Sequence, residues 1–482
     1  MAIKILFINA PLEKYPVGGR KENYDCMPPY GMLYCATVCM SILGNEMVKV
    51  IDAEYFGLSL EQIESEIGRL DPEYVAVNVT SINLPVVIDI ISSVKKNNSV
   101  IVGGTHAILS PEDLFEDSII NKILFVCNGE GESVYQQFFS GVSIELISNI
   151  SYYDGNKIVN NNSTIAFSLD KLIVSRELLP YDPMHWEESN ITESYMLTSR
   201  GCPYSCSFCS ANVICKNKIM LRSAEAIIDE FNYLKQLGVN YIRFIDDLFM
   251  INEKRLISIC NCIRDVGWNK HNFGFEATGR ISTLNSIDSV CWQLLNNSGC
   301  RELEIGVESG SAKILRIMNK HYKISELFNV IDNALKYEIK IKAFIICGYL
   351  NETLDDLLDT LRLCIKLKTI AKEKIRFSAV PAKAYPKTVL YRELMDLPKM
   401  QSVNKQWFCF TENVDLVDYL GVEDPVAISI LNKRTRYNGM HILNNSPISI
   451  SEISGGASTG DVLKILSDIA LISAGFKQMY FI

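Results

Sequence analysis

Two rhythms alternate along residues 1–140: short apolar runs, and longer stretches in which apolar residues recur every three or four positions. The runs Ile3–Asn9, Met47–Ile51, Tyr74–Thr80, Val100–Gly103 and Ile123–Cys127 predict strands. The periodic stretches near Gly31–Leu43, Leu60–Leu70, Leu84–Lys96 and Pro111–Phe115, with another starting near Glu130, predict helices. Repeated strand–helix alternation predicts a parallel, doubly wound, Rossmann-like sheet, whose ligands bind beyond the carboxyl ends of the strands. The loops there contain Asn9, Thr80-Ser81, Gly103-Gly104-Thr105-His106 and Gly129-Glu130. Glycines let a backbone approach a ligand closely and reach positive φ, although each loop taken singly is as readily a tight turn.

Residues 141–190 read as a connector, with a hairpin at Tyr152–Lys157 and an extended path through Leu179-Pro180-Tyr181-Asp182-Pro183. Over 191–398 the alternation resumes six times. Strands are predicted at Tyr195–Thr198, Tyr241–Ile245, Phe273–Ala277, Glu302–Val307, Lys342–Ile346 and Arg376–Val380, with helices between them. Six such units predict an open, partial (β/α)6 barrel with its chemistry at the carboxyl ends of the strands. Residues 399–482 are expected to form a small, mainly helical region over the barrel mouth. There Trp407, Phe408, Phe410 and Tyr419 read either as a cover for substrate or as ordinary core.

Charge and cysteine usage narrow the function. The formal charge is −9, from 47 Lys and Arg against 56 Asp and Glu, and no basic stretch stands out, which disfavours a nucleic-acid partner. The apolar run at the start of the chain is too short for a signal peptide, and no run of about 18 apolar residues occurs, so a cytoplasmic protein without a membrane span is expected. Fifteen cysteines at irregular spacing do not form a disulfide framework. Cys260, Cys262, Cys291, Cys347 and Cys364 fall in apolar periodic segments and read as core.

Cys202, Cys206 and Cys209 differ from these. They lie in Arg200-Gly-Cys-Pro-Tyr-Ser-Cys-Ser-Phe-Cys-Ser210, just after the first strand of the barrel. Three thiolates can hold a [4Fe–4S] cluster with one iron left open, whereas a fully ligated cluster takes four. Chance cysteines, or a zinc site with a distant fourth ligand, are the alternatives. The C-x3-C-x2-C spacing, with an aromatic residue before the last Cys, resembles the signature of radical S-adenosylmethionine (radical SAM) enzymes. The upstream loops, with Pro28-Pro29-Tyr30-Gly31 opening the first helix, resemble the cobalamin-binding domain of one radical SAM subfamily.

The resemblance covers about residues 1–395 and implies three cofactors: a [4Fe–4S] cluster on Cys202, Cys206 and Cys209, SAM, and cobalamin. Asn9, Thr80, Ser81, Gly103, Gly104, His106, Gly129 and Glu130 would embrace the cobalamin. No Asp-x-His-x-x-Gly motif is present, so the resemblance assigns no axial ligand, and His106 reads as a polar loop residue at the corrin rim or in solvent. For SAM, Asp246 and Asp247 would meet the amino group, Arg280 the carboxylate, and Glu308 and Ser309 the ribose and carboxylate. Gly348 would lie on the adenine side, and it reads equally as a turn. Tyr349, Leu350 and Asn351 depart from the residues usual there.

The activity so implied is methyl transfer from SAM through methylcobalamin to an unactivated carbon of a small molecule, after hydrogen abstraction by a 5′-deoxyadenosyl radical. An external flavodoxin or ferredoxin would supply electrons. A radical rearrangement or cyclisation with the same cofactors is the near alternative. An RNA methylthiotransferase would need a second cluster on cysteines such as Cys26, Cys35, Cys39 and Cys127, but Cys35 and Cys39 sit at i, i+4 on an apolar helix. Cys409 is the one cysteine beyond residue 400, which disfavours a cluster there. A cobalamin carrier or light sensor would leave the three cysteines without a purpose.

Overall fold

The structure, a computed structural model, describes residues 3–14, 27–95, 97–161 and 167–396. Cys26, Cys409, the C-terminal aromatics and the helical region expected from 399 lie outside the described residues. The chain divides into two compact units at Met184.

In the first unit β1 (Ile5–Asn9), α1 (Tyr30–Leu43), β2 (Val48–Asp52), α2 (Leu60–Leu70), β3 (Tyr74–Asn78) and α3 (Leu84–Ser93) follow one another. Next come β4 (Ser99–Gly103), α4 (Thr105–Leu109), β5 (Ile123–Cys127) and α5 (Gly131–Phe139), then β6 (Ile150–Tyr153) and β7 (Ile158–Asn161). The sheet order is β2-β1-β3-β4-β5-β6-β7, with β1 to β5 parallel. Strand order reverses between β1 and β3, so their carboxyl ends flank a crevice where doubly wound sheets place ligands. Ile5 to Ile8, Val75 to Val77 and Val100 to Val102 are all buried, as strands covered by helices on both faces require.

Two expectations are corrected. The hairpin expected in the connector is β6 and β7, and it pairs antiparallel on β5, so it belongs to the first sheet and covers what would be an open edge. The helix expected at Pro111–Phe115 lies earlier: α4 starts at Thr105 and ends before Pro111, which lacks the N–H to continue it, and a single 3₁₀ turn follows.

The second unit begins with β8 (Met184–Trp186), β9 (Ile191–Met196), a short ribbon of β10 (Ser199–Arg200) and β11 (Met220–Leu221), and between them α6 (Ala211–Ile214). There follow α7 (Ala224–Gln236), β12 (Tyr241–Phe244), α8 (Glu253–Asp265), β13 (Gly274–Gly279), α9 (Ile281–Ser286), α10 (Ser289–Asn297) and β14 (Cys300–Glu308). The last elements are α11 (Ala312–Ile317), α12 (Ile324–Lys336), β15 (Lys340–Cys347), α13 (Leu354–Ala371), β16 (Ile375–Pro381) and α14 (Val389–Met395). Strands β9, β12, β13, β14, β15 and β16 are neighbours in that order and all parallel, giving the curled six-stranded half-barrel expected.

Alternation along β14 sorts its residues. Leu303, Ile305 and Val307 join the apolar layer under the helices, while Glu302 and Glu304 fall on the opposite face, and the regular pairing breaks between Gly306 and Glu308. Cys260, Cys262, Cys291 and Cys364 are buried in core, and Cys347 is half-buried. No helix among the described residues is long and apolar enough to cross a membrane.

Candidate functional site

The cysteine loop starts where β9 ends, and buried carboxylates from the end of β12 hold it there. Thr198 donates both its backbone N–H (2.7 Å) and its hydroxyl to Asp246, and Ser199 adds a third donor at 2.7 Å. Asp246 is completely buried, and burial pushes its carboxyl up to about 6 against these hydrogen bonds. The side chain read as a partner for the SAM amino group is thus turned inward to tie two strand ends together. Asp247 accepts from the Gly201 N–H at 2.7 Å through Oδ2, and burial raises its carboxyl. Its Oδ1 is buried without a hydrogen-bond partner among the described residues. A buried acceptor left unused costs free energy, so Asp247 offers what an ammonium group needs. Gly201 stands at φ +95, where a Cβ would lie 2.3 Å from the Lys218 carbonyl.

Further along, the loop is braced by the segment after α11. Ser207 donates its N–H to the Met318 carbonyl and its hydroxyl to the Ile317 carbonyl, while Asn319 donates to the Ser205 carbonyl and hydroxyl. The Tyr349 hydroxyl meets Ser207 Oγ at 2.8 Å, so this departure from the family residue supports the loop. Cys215, at the end of α6, receives the Cys202 N–H at 3.3 Å. These braces join positions up to 142 residues apart in sequence, and sequence reasoning missed them for that reason.

Cys202, Cys206 and Cys209 are half-buried. Partial burial raises the Cys202 thiol, so metal ligation there releases a proton. Among the described residues, the one trio of His, Cys, Asp or Glu side chains with ligand atoms within 4.8 Å of one another is Glu276, Glu302 and Glu304. The three thiols, as placed, are not all gathered that closely.

Around the thiols stand the other predicted residues. Arg280, at the end of β13, lies with Nη1 3.6 Å from the Cys206 sulfur and its guanidinium 3.8 Å from the centre of the Tyr204 ring. Glu308 closes β14 at a bulge, with φ +64, an uncommon conformation for a non-glycine residue that re-aims its side chain. Its Oε1 pairs with Lys320 Nζ at 2.8 Å. Burial works against the Lys320 ammonium, but Glu308 and then Cys206 outweigh it and raise the pKa. A Cβ on Gly306 would fall 2.2 Å from the Glu308 carboxylate and 2.6 Å from Lys320, so a larger residue there would displace this pair from its present position.

Ser309 is fully buried with its hydroxyl 3.0 Å from that of Thr360 on α13. Gly348 is a turn residue at φ +72 whose N–H donates to Glu352. Burial pushes Glu352 up to about 7, and its Oε1 is buried without a hydrogen-bond partner among the described residues.

In the first unit the post-strand loops interlock through mostly neutral groups. Asn78 donates to Asn9 at 3.2 Å, and Asn9 to Asp52 at 2.9 Å. Thr80 donates its N–H to Asn83, which reaches back to the Ala10 carbonyl. Ser81 meets His106 Nδ1 at 2.9 Å, and His106 Nε2 lies 3.3 Å from Asp113. His106 is therefore wholly buried with both ring nitrogens facing partners, which corrects its placement at a corrin rim or in solvent. Gly104, at φ +118, is needed because a Cβ would lie 2.3 Å from the Val79 carbonyl, and a Cβ on Gly129 would meet Asn149 at 2.8 Å. Gly103, whose Cβ position is clear to 3.8 Å, lies half-buried with Gly104, Gly129 and Glu130. Glu130 accepts the Phe167 N–H at 3.0 Å. This polar, half-buried rim over the crevice fits a broad cofactor held by backbone and mostly neutral groups. Cys35, Cys39 and Cys127 are buried in the core, which removes the support for a second cluster on them.

A doubly wound unit is thus followed by a half-barrel with a three-cysteine loop at its first strand end. Two family models match the chain: the B12 binding domain over residues 22–139 and the radical SAM superfamily over residues 196–364. The chain thus carries a B12-binding domain followed by a radical SAM domain, and such domains imply a [4Fe–4S] cluster, SAM and cobalamin.

Among curated relatives, the uncharacterized methyltransferase PH0819 of Pyrococcus horikoshii is 27% identical over 70% of this chain and 73% of its own length. The anaerobic magnesium-protoporphyrin IX monomethyl ester cyclase of Cereibacter sphaeroides is 22% identical over 84% of this chain and 66% of its own length. Among solved structures, the cobalamin-dependent S-adenosylmethionine radical enzyme OxsB with aqua-cobalamin and S-adenosylmethionine bound has a TM-score of 0.65 at 15% identity, covering 95% of this chain and 71% of that one. This last likeness shows the fold.

Proposed function

We propose that this chain is a C-methyltransferase that moves a methyl group from SAM, by way of cobalamin, to an unactivated carbon of a small molecule. The observation that carries the reading is the presence in one chain of a B12-binding fold and a three-thiol loop at a barrel strand end, together with similarity to a methyltransferase. When bound, the cluster and SAM supply a hydrogen-abstracting radical, and cobalamin supplies the methyl donor.

The chain's own part is to hold and orient. Cys202, Cys206 and Cys209 ligate, leaving one metal position for SAM. Asp247 Oδ1 accepts from the SAM ammonium. Glu308 keeps acceptor capacity beyond its pairing with Lys320 and takes the ribose diol. Arg280 faces the carboxylate with the donors not turned to Cys206, and Gly348 presents backbone to the adenine side. In the first unit, Asn9, Gly103, Gly104, Gly129 and Glu130 line the cobalamin. A small one-electron donor of the flavodoxin or ferredoxin class serves the cluster.

The test is anaerobic turnover with SAM carrying a labelled methyl group. Methyl transfer yields S-adenosylhomocysteine and 5′-deoxyadenosine together, with label in the product. Release of 5′-deoxyadenosine without S-adenosylhomocysteine overturns it and favours the second reading, cyclisation or rearrangement with the same cofactors, for which the similarity to the cyclase speaks.

A further inference from the structure

One cation touches a ligand sulfur, and a second acts on the same residue through space. Arg280 reaches Cys206 from the end of β13, held flat against the Tyr204 ring, and Lys320 approaches from the segment after α11 with a side chain only 11% exposed. The Lys320 ammonium interacts electrostatically with both Cys206 and Arg280, and it lies 5.9 Å from the centre of the Phe208 ring. Glu308 balances one of the two charges. Tyr204 and Phe208 are themselves loop residues, so each cation is seated on an aromatic neighbour of a cluster ligand. A Cβ on Gly306 would collide with the Lys320 ammonium, so β14 is shaped to admit it.

We propose that Arg280 and Lys320 are positioning residues that set the reduction potential of the cluster through Cys206. The inference rests on the cluster and not on methyl transfer. The step concerned adds one electron, from an external low-potential donor, to a [4Fe–4S]²⁺ cluster, and it makes or breaks no bond. Three thiolates give that cluster a net charge of −1, which reduction makes −2. Hydrogen bonds and charges at the sulfurs are levers on such potentials. Fixed cations in a partly desolvated site favour the added negative charge more than the same cations do in water.

The experiment is an EPR-monitored redox titration of the anaerobically reconstituted full chain, without SAM or substrate, for wild type, Arg280→Gln, Arg280→Lys and Lys320→Gln. At the wild-type midpoint, each Gln variant is expected to show about a tenfold lower ratio of reduced to oxidised cluster, which is about 59 mV for a one-electron couple. Arg280→Lys is expected to recover most of that loss, because it keeps the charge. An unshifted midpoint in Lys320→Gln overturns the proposal, and so does an unshifted midpoint in Arg280→Gln accompanied by weaker SAM binding, which would place Arg280 on the SAM carboxylate alone. Should Arg280→Gln fail to retain iron, Arg280→Lys and Lys320→Gln decide by the same criterion. Product analysis can exclude methyl transfer without touching this result.

Discussion

Both units present ligand-facing loops at the carboxyl ends of a parallel sheet, yet they fasten those loops with different chemistry. In the first, asparagine amides and small hydroxyls join the ends of β1 and β3 to one another, and Asp52 is the main buried charge among them. In the second, carboxylates at the end of β12 accept backbone and hydroxyl donors from the cysteine loop, and ion pairs crowd the next strand ends. The difference follows the ligands each unit takes. A large cofactor gripped by its rim needs shape and neutral hydrogen bonding, whereas a cluster on three thiolates needs its ligands fixed and its negative charge offset. Charge-assisted hydrogen bonds, shorter and about twice as strong as neutral ones, suit the second task.

The largest expected effect separates the two units outright. Replacing Cys202, Cys206 or Cys209 by Ala is expected to abolish stable cluster binding, taking iron in reconstituted protein from about four per chain to near zero, with corrin bands from added cobalamin retained. Iron retained at the wild-type level in any of the three would show that a fourth residue, such as Cys215, can ligate.

Next is Gly104. Its φ of +118, together with the 2.3 Å approach a Cβ would make to the Val79 carbonyl, predicts that Gly104→Ala loses at least about 1–3 kcal/mol in chemical denaturation. It is expected to lower cobalamin retention while iron content stays at the wild-type level. Equal loss of both cofactors would mean that the two units do not respond separately.

These two positions also mark what the sequence made legible. The cysteine motif is local: ligand type and spacing lie within eight residues, so its chemistry can be read without the fold. The alternation of apolar runs likewise gave the six barrel strands to within a few residues, because burial against helices sets that pattern. What escaped depends on pairing across the sheet. Asp246 turns inward because β12 lies beside β9 in the register that sets Phe244 against Met196, bringing Thr198 and Ser199 under its carboxylate. Glu308 is re-aimed by a bulge against β15, and His106 is buried by its hydrogen-bonded approach to Ser81. No local pattern encodes these three placements.

A smaller effect tests the charged side through pH. Burial pushes Glu276, on β13 beside Arg243, up to about 7 from its ordinary 4.5. The folded chain then keeps a proton that the unfolded chain has shed, so the stabilisation is complete below about pH 4.5 and is lost as pH rises to about 7. At 1.36 kcal/mol per unit this amounts to about 3 kcal/mol at most. Glu276→Gln is expected to flatten that decline in denaturation curves taken between pH 5 and 7.5. A variant as pH-dependent as the wild type would move the effect to another buried acid, such as Glu352.

The smallest effect returns to the neutral side. His106 is buried, with Nδ1 on Ser81 and Nε2 facing Asp113, so its ring serves the protein's own packing. His106→Asn is expected to cost about 1 kcal/mol, the net worth of an ordinary hydrogen bond, and to leave the absorption spectrum of bound cobalamin unchanged. Reaching a cobalt ion would require the ring to break its contact with Ser81 and α4 to shift, because His106 is the second residue of that five-residue helix. A changed corrin spectrum in His106→Asn would show that this rearrangement occurs on cobalamin binding. The first unit would then carry a ligand of the same directness as the cysteines of the second, and the contrast between a neutral cradle and a charged one would fail at the metal itself.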